Sequence, residues 1–251
     1  MIGQESRSWR LKFLDFPLDN LDEREFEEQL RLFVGREKAH AITVLNANKI
    51  YLMRKDRQLA SFIFNSDLIL PENALNLAFF LRGQRLKKWN MGGLPRMKTS
   101  LQLAAREGWP VFFLGAKQEV VEKMAQRLPP AYPGLKIAGY HHGYFSEKEE
   151  KAIVEQINRS GALLLFVGLG SPRQEKWMAR YQSELKVRVM MGVGGSFKVL
   201  AGVEKEAPAW SKYGLEWLYR TFQDPAKINR YLKINCLFLF LLLKFLFKNK
   251  A

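Results

Sequence analysis

At 251 residues the chain suffices for one large domain or a domain with an appendage, and 47% apolar residues supply a real core. A formal charge of +15 calls for an anionic partner: nucleic acid, anionic lipid or a phosphorylated substrate. Cys236 is the only cysteine, which excludes an intrachain disulfide and fits a reducing compartment. The mixed-charge start MIGQESRSWRLKFLDF lacks a signal peptide's apolar run, so these residues are expected to stay in the cytoplasm.

Phe26, Leu30 and Phe33 fall at helical spacing, Asp22 and Glu25 read as a capping box, and Gly35 follows, predicting a helix over 20–34. Ala41–Leu45 reads as a strand, followed by a helix through Met53 and Leu59 and a strand at Leu68–Leu70 stopped by Pro71. From about residue 110 the pattern turns regular. Val111–Leu114 is a buried-type strand broken at Gly115, Gln118–Leu128 is helical, and Lys136–Ala138 is a weak strand. Ser146 and Glu149 form a second capping box, opening a helix that ends near Gly161. Leu163–Val167 is a strand broken by Gly168-Leu169-Gly170. Ser171 then caps a helix with Pro172 at its first position and Gln174 at its third. Val187–Met191 is a last strand, broken by Gly192-Val193-Gly194-Gly195.

Apolar strands alternating with amphipathic helices predict an α/β fold: a mainly parallel, Rossmann-like sheet with helices on both faces. In such a sheet the carboxyl ends of the strands open on one edge, where ligands bind. The breaks at Gly115, Gly168/Gly170 and Gly192/Gly194/Gly195 lie there, and glycine lets backbone approach a phosphate beside a helix N-terminus. Two readings stay open at this point, a nucleotide diphosphate site or plain tight turns, because no G-x-G-x-x-G fingerprint occurs and Phe197 stands where a third glycine would. There is no D-x-D pair to hold a metal-bound nucleotide. His40, His141 and His142 have no cysteine cluster to join, and no G-x-S-x-G elbow appears. No metal site and no cofactor are expected.

After Asp224 no acidic residue remains, while Lys227, Arg230, Lys233, Lys244, Lys248 and Lys250 accumulate around an apolar run from Ile234 to Phe247. The run is shorter than the roughly 20 residues of a spanning helix, and Lys244 interrupts it. An interfacial segment on an anionic membrane fits, the alternative being a core or dimer helix that would have to bury Lys244. A leucine-rich run has no use on a nucleic-acid backbone, so no nucleic-acid partner is expected. The expected organisation is an α/β domain over 1–210 that carries the candidate ligand edge, and a basic, apolar, helical appendage over 211–251. The apolar tail also admits a homo-oligomer.

Four ordered blocks carry a resemblance: Gly143-Tyr144-Phe145, Gly168 to Trp177 (GLGSPRQEKW), Met191 to Phe197 (MGVGGSF) and Gly214 to Arg220 (GLEWLYR), with Ala207-Pro208 before the last. The series resembles the WecG/TagA/CpsF family, glycosyltransferase family 26, over nearly the whole chain. The resemblance implies an inverting, metal-independent transferase. Its donor is a UDP-sugar of the N-acetylmannosamine or glucose type, and its acceptor is polyprenyl-diphosphate-linked in the cytoplasmic leaflet. The enzyme would therefore sit peripherally on the inner face of the membrane. It implies that Arg220, Lys227 and Arg230 stabilise the departing UDP, with plain head-group contact as the other reading. Glu72 of Pro71-Glu72-Asn73 stands where the family has a Pro-Asp-Gly general base, one methylene longer. Asn46 is retained from the family's Thr-x-Asn strand end, where this chain has Val44. The implied catalytic set is Glu72, Arg220, Lys227 and Arg230. The implied substrate-binding set is Asn46, Asn73, Gly115, Tyr144, Gly170, Ser171, Gln174, Gly192, Gly194, Gly195 and Ser196.

The chain also departs from the family pattern. Asn90 to Pro95 (NMGGLP) replaces a segment bearing an arginine and an aspartate, and Lys198 replaces an aspartate. Three readings follow: Lys198 replaces the lost arginine, the donor sugar differs, or the chain is a catalytically silent scaffold that binds nucleotide sugar.

Overall fold

The computed structural model describes residues 9–84, 86, 87, 92–208, 219 and 228–248. Two short strands that the sequence did not announce come first, β1 (Arg10–Phe13) and β2 (Phe16–Asp19), paired antiparallel. Asp19 at the end of β2 is fully buried. It accepts two hydrogen bonds from Arg10 and one, at 2.8 Å, from the backbone N–H of Ile69, which fastens the hairpin to the sheet. Helix α1 (Glu23–Val34) follows, opened by the expected capping box: Asp22 and Glu25 each accept from the other's backbone N–H.

The sheet has six strands: β3 (His40–Leu45), β4 (Leu68–Pro71), β5 (Val111–Gly115), β6 (Ile137–His141), β7 (Leu164–Gly168) and β8 (Val189–Gly192). Their order is β4-β3-β8-β7-β5-β6, and every pairing is parallel. Strands β4, β5, β7 and β8 read as unbroken apolar runs because both faces are covered. Leu45, Phe112, Leu165 and Val167 enter one core layer, and their neighbours Val44, Phe113, Leu164 and Phe166 enter the other. The first layer is closed by α2 (Ala47–Met53), α3 (Arg57–Phe64), α4 (Asn73–Leu81), α7 (Glu150–Arg159) and α8 (Arg173–Tyr181). The second is closed by α1, α5 (Gly93–Glu107), α6 (Gln118–Ala131) and α9 (Ser196–Leu200). The expected α/β fold is the observed one.

Two local expectations change. The single helix foreseen through Met53 and Leu59 is two, because Asp56 accepts from the Leu59 N–H at 3.1 Å and starts α3 afresh. Ser171 does not cap α8. Pro172 is the N-cap, and the Ser171 hydroxyl donates instead to the Glu175 carboxylate at 2.9 Å, a stronger acceptor than any backbone group.

The C-terminal run forms α10 (Ile228–Phe247), which lies on α2 and α4. Ile234, Leu241, Leu242 and Phe245 are buried, and the Phe245 ring packs 4.8 Å from Phe13 and 5.1 Å from Phe79. The opposite stripe, Leu232, Leu239, Phe240, Leu243 and Phe247, faces outward. Lys244 is exposed, so packing this helix on the body incurs no burial of its charge. The segment is thus a core helix on one face and an open apolar surface on the other. Among the described residues no helix is long and apolar enough to cross a membrane.

Candidate active site

With all six strands parallel, their carboxyl ends share one edge, and a cleft of about 210 Å³ opens there. Val44, Asn46 and Lys49 reach it from the turn between β3 and α2. Glu72 and Asn73 come from the end of β4, and Gly92–Pro95 from the start of α5. Ser171 and Gln174 follow β7, and Gly192–Ser196 follow β8. The backbone N–H of Glu72 donates to the Leu45 carbonyl at 3.1 Å, holding the ends of β3 and β4 in step.

The floor is a buried polar network spanning α2, the start of α8 and the turn after β8. Lys49 Nζ lies 3.0 Å from Glu175 Oε1, both side chains being buried. The same carboxylate oxygen accepts from Ser171 Oγ at 2.9 Å and from Gln174 Nε2 at 2.8 Å. Gln174 Oε1 in turn accepts from the Gly194 N–H at 3.1 Å, fixing the glycine turn after β8. Gly192 has to be glycine here, since a Cβ would lie 2.6 Å from Gln174 Nε2.

A second buried cation stands behind Glu72. Arg96, 1% exposed on the first turn of α5, donates to the Pro71 carbonyl at 3.2 Å and interacts electrostatically with Glu72. Burial lowers its pKa to about 9 while Glu72 opposes the fall, so the guanidinium is still charged at neutral pH. Glu72 is the N-cap residue of α4 but makes no side-chain cap bond, and it lines the cleft.

Of the residues singled out by sequence, Asn46, Glu72, Asn73, Ser171, Gln174, Gly192, Gly194, Gly195 and Ser196 line this cleft. Besides Ser171 and Gln174 in the network above, Asn46 and Ser196 also have their polar groups engaged internally. Asn46 caps α2 by accepting from the Lys49 N–H, and Ser196 Oγ donates to the Val193 carbonyl. Gly115, Tyr144 and Gly170 lie outside the lining. At Gly115 a Cβ would lie 2.5 Å from the Gly168 backbone, so glycine serves the contact between β5 and β7. Tyr144 is exposed, on a segment held by Arg173, which donates to the carbonyls of Gly143 and Phe145. Lys198 pairs with Glu204 at 2.7 Å and does not line the cleft. Arg220, Lys227 and Asn90 lie outside the described residues, as does the side chain of Arg230 on α10. Among the described residues no three His, Cys, Asp or Glu side chains gather as metal ligands.

Sequence reasoning missed Lys49, Gly93 and Arg96. Lys49 had a signal, since Asn46 in the cap position puts it in the first turn of a helix at the ligand edge. Arg96 had none: a cation after Pro95 reads as a surface residue until α5 is seen to bury it among Met97, Ser100 and Leu101.

Residues 11–251 match the family described as the glycosyl transferase WecG/TagA/CpsF family. The chain belongs to that family. Among similar proteins is an "N-acetylglucosaminyldiphosphoundecaprenol N-acetyl-beta-D-mannosaminyltransferase" of Bacillus subtilis (strain 168), 31% identical over 80% of this chain and 78% of its own length. A protein of the same description from Staphylococcus aureus (strain MW2) is 29% identical over 91% of each chain. The four sequence blocks thus fall within a matched region that covers the sheet, the cleft and α10.

Proposed function

We propose that the protein moves a sugar of the N-acetylmannosamine or glucose type from a UDP-sugar to a polyprenyl-diphosphate-linked acceptor, with inversion and without a metal. The setting is bacterial cell-surface polysaccharide synthesis, and the protein docks peripherally on the inner face of the membrane. The relatives support the acceptor class, since their descriptions name an undecaprenyl diphosphate bearing N-acetylglucosamine. The observation that carries the reading is the convergence of Glu72 with Gln174 and the Gly192–Ser196 turn on one cleft.

Glu72 takes the proton of the acceptor hydroxyl as that oxygen attacks the anomeric carbon from the face opposite UDP. The bond from that carbon to the phosphate oxygen breaks, and its electron pair leaves with UDP. Gln174 and the glycine turns hold the nucleotide sugar, while Arg96 favours the ionised form of Glu72. The segment 211–251 brings Arg220, Lys227 and Arg230 to the developing charge on the diphosphate. The outward stripe of α10 and its lysines rest on anionic head groups.

The test is UDP release with a panel of UDP-sugars and a polyprenyl-diphosphate-sugar acceptor, with and without Glu72→Gln. Acceptor-dependent release is expected, and the variant should lose a factor of about 10² or more. Transfer that the substitution leaves untouched would remove Glu72 from the mechanism. UDP binding without turnover for any donor would favour the catalytically silent scaffold.

A further inference from the structure

Apart from Asn73 and Asn76, helix α4 is made of apolar residues, more than one buried face requires. Only one side is buried: Leu75, Ala78 and Phe79 face the core. The other side carries Leu77, Phe80 and Leu81, spaced as one stripe and 36%, 61% and 52% exposed. Its C-terminal end adjoins that of α10, where Arg82 Nη2 donates to the Lys248 carbonyl at 3.0 Å and the guanidinium lies 4.6 Å over the Phe245 ring. The open stripe of α10, from Leu232 through Leu239, Phe240 and Leu243 to Phe247, has Lys233, Lys244 and Lys248 along one flank by helical position.

We infer that α4 is a second lipid-contacting element, its Leu77, Phe80 and Leu81 stripe entering the acyl boundary of an anionic bilayer beside α10. The inference rests on the membrane docking of α10 proposed above, and deepens it. The occupant follows from the setting, because the apolar stripe adjoins a lysine-flanked helix with no acidic residue, in a chain of net charge +15. The arrangement also sets a height. Glu72 precedes α4 at the end away from Leu81, so the nine-residue helix sets its backbone at most about 14 Å above that boundary. That span is comparable with a diphosphate and one pyranose ring laid end to end, the part of a lipid-linked acceptor that stands clear of the bilayer.

Cys236, exposed on α10, gives the experiment its internal control. In the full-length chain an environment-sensitive fluorophore is attached at Cys236, or at position 80 of Phe80→Cys in a Cys236→Ser background, or at position 159 of Arg159→Cys in the same background. Each is mixed with phosphatidylcholine vesicles with and without phosphatidylglycerol. The expected result is a blue shift and quenching by brominated lipid at 236 and 80 but not at 159, only with the anionic vesicles. In the unlabelled chain, Phe80→Glu should weaken vesicle partitioning about tenfold or more. A response at 236 without one at 80 overturns the role of α4 and leaves α10 docked. No response at either site overturns both readings. A shift at 80 that follows protein concentration without vesicles overturns the proposal in favour of a second copy as the occupant.

Discussion

Lys49 Nζ and Glu175 Oε1 lie 3.0 Å apart beneath the cleft, joining α2 to the first turn of α8, which also carries Gln174. Both side chains are out of water, so neither charge tolerates the loss of the other. Lys49→Met should lower unfolding free energy by about 3–5 kcal/mol, because it leaves an uncompensated buried carboxylate. Adding Glu175→Gln should recover most of that loss, since a neutral amide oxygen can still accept from Ser171 and Gln174. Urea unfolding of the two single variants and the double variant measures the coupling; additive losses would show that the pair does not act as a unit.

Two glycines of one turn should separate folding from binding. At Gly192 a Cβ would lie 2.6 Å from Gln174 Nε2, whereas at Gly195 nothing lies within 4 Å and the backbone is right-handed. Gly192→Ala should push Gln174 off Glu175 and Gly194, costing about 1–3 kcal/mol in stability through the broken buried bonds. Gly195→Ala should leave unfolding unchanged and raise KM for the nucleotide sugar, as its methyl enters the cleft from the lining. Thermal unfolding and donor titration of both variants check the pair.

How far the sequence carried depends on what each segment has to satisfy. Strands such as Val111–Gly115 and Leu164–Gly168 were legible because covering both faces leaves room only for apolar residues. The cleft was legible where a glycine break or a family block stood over it, as at Gly192–Ser196 and Gln174, whereas the marks at Gly115, Tyr144 and Gly170 fell outside its lining. The hairpin at Arg10–Asp19 was not, since its place depends on Asp19 meeting the Ile69 N–H fifty residues away. Nor was Arg96, whose burial is a property of α5 against β4 and leaves no local pattern. α10 shows the same limit: composition gave an apolar segment, but only packing decides which stripe meets Phe13 and which stays open.

Arg96 should give the reaction an alkaline limit. Burial lowers its pKa to about 9, so the charge beside Glu72 is present at pH 7 and lost as pH rises through about 9. Turnover is expected to fall over that interval. Arg96→Met should abolish this limb. Initial rates of UDP release between pH 7 and pH 10 read it. An unchanged profile in the variant would detach Arg96 from Glu72.

The two faces of α10 should respond oppositely to substitution. Phe245 is 2% exposed and packs on Phe13 and Phe79, so Phe245→Ala should cost about 3–5 kcal/mol of unfolding free energy. Phe247, 80% exposed two residues on, touches the open side, and Phe247→Ser should change stability by no more than about 0.5 kcal/mol. Removing everything after Asp224 should therefore do more than release the protein from anionic vesicles: it should also uncover Phe13, Phe79 and the adjoining core layer. Urea midpoints of the two point variants, read beside their vesicle partitioning, separate the faces. If Phe245→Ala leaves the midpoint unmoved, α10 is only tethered to the body, and its inner face does not belong to the core.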